Sequence, residues 1–248
     1  MKLKSRLDVA VQKLYPHFSR QQIQSFILQG KVLVNDQPNT KAGTSISSGD
    51  HIRLIAEIPP FVSRSGIKLC HALDAFSLEV KNLIVLDAGI STGGFTDCLL
   101  QRGAQKVYGI DVGYGQTHQK IRNDPRVILH EKTNLRLLKK EIIGELVDLV
   151  TLDLSFISIL KVLDVVYDLL KQGGILITLI KPQFEAQKHD VGTGGIIRDE
   201  KKRNEIVQHV IQGITKKGFI FRQMEESIIQ GTDGNKECVA YFTKAVDQ

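Results

Sequence analysis

Residues 82–97, NLIVLDAGISTGGFTD, constrain the fold more than any other stretch. An apolar run, Leu83 to Leu86, leads into Asp87 and then Gly89, Ser91, Gly93 and Gly94. Phe95, Cys98, Leu99 and Leu100 follow at helical spacing. The pattern predicts a buried strand, a tight glycine turn and the start of a helix. Such a turn lets backbone N–H groups approach a ligand that a Cβ would keep away. A second apolar strand, KVYGID, ends on Asp111, where an acid can accept hydrogen bonds from a ribose diol.

Three ligand chemistries fit this turn. Gly89, Ser91 and Gly94 match a dinucleotide fingerprint with serine at its second glycine. Gly89-Ile90-Ser91-Thr92-Gly93 also spells a nucleophile elbow, with Asp153 and His189 or His209 available in hydrolase order. The third is a nucleoside cofactor without phosphates, S-adenosylmethionine.

From Leu83 onward, apolar strands alternate with amphipathic helices. Strands are expected at 83–87, 106–111, 126–130, 147–153, 174–180, 219–228 and 237–243. Helices are expected at 93–102, 117–123, 157–170 and 199–216. The alternation predicts a doubly wound α/β sheet, mostly parallel, with ligands beyond the carboxyl ends of its strands. Asp87, Asp111, Asp153 and Lys181 all stand at such ends. A carboxylate at Asp153, after LVTL, needs a partner to stay ionised, and Lys181 on a neighbouring strand would face it. Residues 181–198 read as a long loop with three glycines, a candidate lid.

The first quarter of the chain is different. Residues 1–63 hold eight Lys/Arg against four Asp/Glu, so +4 of the net +6 lies there, which favours a polyanionic partner. A helix is expected over 5–14, and Ser19 with Gln22 forms a capping box for the next. Short strands follow at 31–35 and 51–55. Arg6, Lys13, Arg20, Lys31 and Lys41 could share one face. Pro59-Pro60 marks a linker over 59–63, dividing a small α+β domain (1–58) from a larger one (64–248).

Three scattered cysteines without a C-x-x-C pair argue against a zinc site or a disulfide framework, and for a reducing compartment. The amino-terminal stretch lacks the apolar core of a signal peptide, and no apolar run approaches a membrane span. A cytoplasmic protein is expected, with no membrane role and no metal.

RLDVAVQKL, SRQQIQSFILQGKVLVND and SSGDHI together resemble the RNA-binding module first seen in a small-subunit ribosomal protein, over residues 4–56. SRSGIKL, LDAGISTGGFTD, GIDVG, TLDLSFISI, IKPQFE and NKECVAYF resemble the TlyA family of ribosomal RNA methyltransferases, which carry an FtsJ-like catalytic domain. The resemblance implies a Rossmann-like sheet whose last strand is antiparallel, with S-adenosylmethionine as cofactor. It also implies 2′-O-methylation of a cytidine ribose in ribosomal RNA by a tetrad of Lys68, Asp153, Lys181 and Glu237. Cofactor contacts would come from Asp87, Asp153, the turn Gly89, Ser91, Thr92, Gly93 and Gly94, Asp111 at the ribose, and Asn134 near the adenine. Two departures stand out: Ser65 precedes Gly66 where the family has paired glycines, and Ile90 replaces a small residue and would narrow the cofactor pocket. The rival from another class is an RNA-binding assembly factor that keeps the fold without catalysis.

Overall fold

The computed structural model describes residues 4–16, 18–55, 59–187, 190–192, 194–231 and 234–246. Glu57 and Ile58, His189, Thr232 and Asp233 lie outside the described residues. The chain divides into two compact units, Met1–Ile58 and Pro59–Gln248.

In the first unit, β1 (Ser5–Arg6) precedes α1 (Leu7–Leu14) and α2 (Arg20–Leu28). Four short strands follow: β2 (Val32–Val34), β3 (Gln37–Pro38), β4 (Ser45–Ile46) and β5 (Ile52–Leu54). The helix expected over 5–14 begins two residues late, because Ser5 and Arg6 pair antiparallel with β4. The Ser19–Gln22 capping box forms as expected. Asn35 and Asp36, both at positive φ, make the two-residue hairpin turn between β2 and β3. Leu7, Val11, Ile23, Ile27 and Val32 bury completely to form the core.

The second unit starts with α3 (Ser65–Ala75). The stretch expected as a linker is anchored here: Val62 N–H donates to Asp97 Oδ2 at 2.9 Å and Gln101 Nε2 to the Pro60 carbonyl. Then come β6 (Ile84–Ala88), α4 (Gly94–Gln101), β7 (Lys106–Ile110), α5 (Gln119–Arg122), β8 (Val127–His130) and α6 (Lys140–Ile143). The unit continues with β9 (Val147–Leu152), α7 (Leu163–Leu169), β10 (Leu170–Ile180), α8 (Pro182–Glu185), α9 (Glu200–Lys216), β11 (Phe219–Glu226) and β12 (Cys238–Lys244). The helix expected over 157–170 is instead a 3-10 turn at Ile159–Lys161 followed by α7. Part of the loop expected at 181–198 is helical, since Pro182 at the first helical position suits α8.

The sheet runs β11-β12-β10-β9-β6-β7-β8. β12 is antiparallel to both neighbours, and β6, β7, β8, β9 and β10 are parallel. β6 lies between β9 and β7, so the connections diverge at its carboxyl end, where such folds open a crevice. Side-chain alternation sends Val85, Leu149, Ile177, Leu179 and Val239 to a core shared with Leu69, Leu73, Phe95 and Leu99 of α3 and α4. Leu86, Val150, Leu176 and Phe242 pack on the other side with Val166, Val207 and Ile214 of α7 and α9. Counting by twos along the first set reaches Asp87, Asp153, Lys181 and Glu237. The register therefore delivers all four to one face at one end of the sheet. Among the described residues, no helix is long and apolar enough to cross a membrane.

Candidate active site

The turn after β6 holds its shape through backbone geometry. Gly89 (φ 83°), Ser91 (φ 48°) and Gly93 (φ 96°) all occupy the left-handed region. A Cβ on Gly89 would sit 2.5 Å from the Asp153 carbonyl oxygen, so only glycine lets β6 and the end of β9 approach this closely. The Asp111 carboxylate braces the turn from β7, accepting the Ser91 N–H at 2.8 Å and the Gly113 N–H at 2.7 Å.

Two cavities meet at this turn. One, of about 360 Å³, is lined by Gly89, Ser91, Asp111, Asn134, Leu135 and Phe156 among others. The second, of about 340 Å³, contains Lys68, Asp153, Lys181 and Glu237, with Arg64 and Thr92. Gly89, Ser91 and Asp153 belong to both walls.

Inside the second cavity the four charged groups form two pairs. Lys68 Nζ donates to Glu237 Oε2 at 2.6 Å, with side-chain exposures of only 10% and 3%. Lys181 Nζ lies 2.7 Å from Asp153 Oδ1 and donates to Ser155 Oγ at 3.1 Å. The Lys181–Asp153 contact is a close ion pair, at the separation usual for an ammonium and a carboxylate. Extending the β10–β12 register one step beyond Ile180–Cys238 sets Lys181 opposite Glu237. Gly231 closes over the latter: a Cβ there would meet Glu237 Oε1 at 2.5 Å.

The remaining expected residues divide. Asp87 does not reach either cavity. It is wholly buried beneath the turn, where its oxygens accept the hydroxyls of Thr96 at 2.6 Å and Thr151 at 2.8 Å. Burial pushes its carboxyl up to about 6, and the two threonine bonds oppose that rise. Gly93 and Gly94 also stand behind the walls, as packing positions. Gly93 fits against Ile121, and a Cβ on Gly94 would collide with the hydroxyls of Ser63 and Ser65. Asn134 lines the first cavity, with its side-chain oxygen capping the next turn at Arg136 N–H. Ile90 is not among the residues lining the first cavity, though it contributes to the wall of the second. It turns into the core, where Gly109 leaves room: a Cβ there would overlap its Cδ1.

Neither cavity is lined by a histidine among the described residues: His209, one candidate for a triad with Ser91, sits on α9 away from both, and the other, His189, lies outside the described residues. Nor do those residues include a group of three or more His, Cys, Asp or Glu placed to hold a metal.

Several participants were not legible beforehand. Thr96 and Thr151 read as ordinary helix and strand residues. Phe156 is 90% exposed at φ 65°, and its ring lies 5.0 Å from that of Phe184, beside Lys181. In the first unit, Asp8 was unsuspected. It gathers Arg6 at 3.0 Å and Arg20 at 3.4 Å, and the Arg6 hydrogen bonds hold its carboxyl down at about 2 despite burial. Lys13, Lys31 and Lys41 are exposed without an ion pair among the described residues, so the structure joins only Arg6 and Arg20 of the five basic residues.

Residues 61–244 match the FtsJ-like methyltransferase family, and residues 5–52 match the S4 domain. The 16S/23S rRNA (cytidine-2′-O)-methyltransferase TlyA of Mycobacterium tuberculosis is 38% identical over 249 residues, covering 100% of this chain and 93% of that protein. This chain belongs to the TlyA family. A second relative, Hemolysin A of Brachyspira hyodysenteriae, is 42% identical over 238 residues, 96% of this chain and 99% of its own length. A solved structure from Streptococcus thermophilus, which carries a provisional hemolysin name, superposes with a TM-score of 0.75 at 35% identity. It covers 99% of this chain and 90% of that one.

S-adenosylmethionine is the cofactor of this fold, and the first cavity fits it. Its volume lies in the range of small-molecule sites. Its floor needs Gly89, and Asp111 keeps acceptor capacity beyond its two backbone bonds.

Proposed function

We propose that this chain methylates the ribose 2′-hydroxyl of a cytidine in ribosomal RNA. The observation that carries this reading is the pairing of Lys68 with Glu237 and of Lys181 with Asp153 in a cavity that shares walls with a glycine-floored one. In this reading Gly89, Ser91, Thr92, Asp111 and Asn134 hold S-adenosylmethionine, which supplies an electrophilic methyl group on a sulfonium.

The acceptor hydroxyl enters the second cavity. Lys181 Nζ orients the 2′-oxygen and, as the neutral amine, receives its proton while the oxygen–methyl bond forms and the sulfur–methyl bond breaks to leave a thioether. The resulting ammonium is the form that pairs with Asp153. Asp153 fixes that nitrogen, and Glu237 fixes Lys68 beside it. Positioning of this kind can supply ~7–11 kcal/mol of rate acceleration. The exposed Phe156 ring with Phe184 offers a stacking platform for a nucleobase, worth ~1–3 kcal/mol. Arg6 and Arg20, preset on Asp8, engage RNA phosphates, with Lys13, Lys31 and Lys41 adding charge. Ribosomal RNA or a ribosomal subunit is then the partner, and the cytoplasm is the site of action. The catalytic division falls at residue 64, with 1–58 as the RNA-binding part.

The test is nucleoside mass spectrometry of ribosomal RNA from both subunits, incubated with S-adenosylmethionine and the protein. New 2′-O-methylcytidine that Lys181→Ala fails to make is the expected result. No new methyl group on either subunit would overturn the reading.

A further inference from the structure

The loop between Asp153 and Ile159 has few supports of its own. Asp153 N–H donates to the Ala88 carbonyl at 3.1 Å, and Lys181 bonds Ser155. Beyond these, Phe156 projects into solvent from a left-handed backbone, a strained conformation that persists only where the surroundings enforce it. Leu154 and Ile157 pack against the core on either side of this residue, and α8 adds a polar tie. Glu185 Oε1 accepts the Ile159 N–H at 2.8 Å, at the far end of the loop.

Glu185 sits four residues after Lys181, in the same turn as Phe184. Its carboxylate therefore joins two segments that each bring one member of two facing pairs: Asp153 with Lys181, and Phe156 with Phe184. We propose that Glu185 is a positioning residue that sets the spacing of both pairs, and so the width of the acceptor site. This rests on the reading of that site as the place where the ribose hydroxyl and its base are held.

The choice of an acid here runs against its surroundings. Burial raises the carboxyl of Glu185, offset by the Ile159 N–H, the Ser158 hydroxyl, His209 of α9 and Lys161. An apolar residue would fill the place without that desolvation cost, but it could not cap Ile159.

The experiment pairs two substitutions with an optical reporter. The chain has no tryptophan, so Phe156→Trp places a single emitter on the loop. In that background, Glu185→Ala is expected to lower the anisotropy of the emission, and Glu185→Gln to preserve it, because an amide oxygen accepts the same bond. In the otherwise native chain, Glu185→Ala is expected to reduce kcat between ~10- and ~100-fold, the scale of an ångström-sized misplacement. Affinity for S-adenosylmethionine, whose cavity the same loop lines, should fall by less than kcat does, and Glu185→Gln should recover most of both. Unchanged anisotropy in Glu185→Ala, native kcat in that variant, or Glu185→Gln as damaging as alanine would each overturn the proposal. A native chain that transfers no methyl group overturns the proposed function instead, and the anisotropy then decides the role of Glu185 by itself.

Discussion

Each unit of this chain holds a cluster of carboxylates and cations, and the two are built inside out relative to one another. In the amino-terminal unit the acid is hidden and the bases are outside: Asp8 is buried, whereas Arg6 and Arg20 expose 56% and 67% of their side chains. In the catalytic unit all four members are largely enclosed, with Lys181 and Asp153 exposed by 12% and 18%. A buried acid that anchors exposed guanidinium groups fixes their direction while leaving their outer donors for a polyanion. Enclosed ammonium groups cannot serve an extended backbone. They can act on one small group admitted to the cavity. The choice of arginine in the first cluster and lysine in the second follows the same division, since a planar fork suits phosphate and a point charge suits a single oxygen.

Exchanging the cation types attacks this contrast most directly. Lys181→Arg is expected to reduce methyl transfer ~10²- to 10⁴-fold, the range of a lost acid–base group, while Arg20→Lys leaves turnover intact. Quantifying 2′-O-methylcytidine against time for both variants checks this, and an active Lys181→Arg would mean that the cavity requires only charge.

Next in size is Gly89→Ala. Its Cβ meets the Asp153 carbonyl in a strained backbone, so cofactor affinity should fall ~10-fold or more and stability by ~1–3 kcal/mol. Calorimetric titration and thermal melting measure the two effects separately.

A smaller effect tests the exposed cluster. Arg6→Ala should weaken RNA binding uniformly across sequences and reduce the salt slope by about 1. Filter binding at several salt concentrations reads that slope, and an unchanged slope would remove Arg6 from the phosphate contacts.

The smallest concerns Asp87. Its folded-state value, about 6, lies above the ordinary 3.8, so the stabilisation it gives when protonated is complete below pH ~4 and is lost as pH rises through about 6. Asp87→Asn keeps a partner for each threonine hydroxyl and should flatten that loss, by roughly 1–3 kcal/mol between pH 4 and 7.5. Denaturant melts of both proteins across that window give the difference.

Much of the architecture was legible because periodicity reports burial. The strands from Ile84 to Leu152 lie within a residue or two of their expected positions, since the apolar runs of β6, β7 and β9 are covered on both faces, while β8 at the sheet edge is only partly covered. The 157–170 helix was misplaced because Ser158 caps a 3-10 turn inside an otherwise helical apolar pattern. Among candidate site residues, Asp153 and Lys181 come together as expected, because a charged group after an apolar run has few places to go. Asp87 had the same signature, yet its partners are two threonine hydroxyls, and nothing in a linear pattern pairs position 87 with 96 and 151. Phe156 was hidden for the opposite reason. A phenylalanine among Leu154, Ile157 and Ile159 reads as core, and only the sign of its φ turns it outward.

The placement of β12 bears on how the protein matures. β10 and β11 lie on either side of a gap that only residues 238–244 fill, nearly sixty positions beyond the end of β10. Contacts of that sequence separation close late. β11 joins the sheet only through β12, so before β12 docks the β10 edge is open to wrong pairing and Glu237 has not met Lys68. The strand that completes the sheet also delivers the last charged side chain of the cavity, so a chain trapped short of its native state lacks the Lys68–Glu237 pair as well as being sticky.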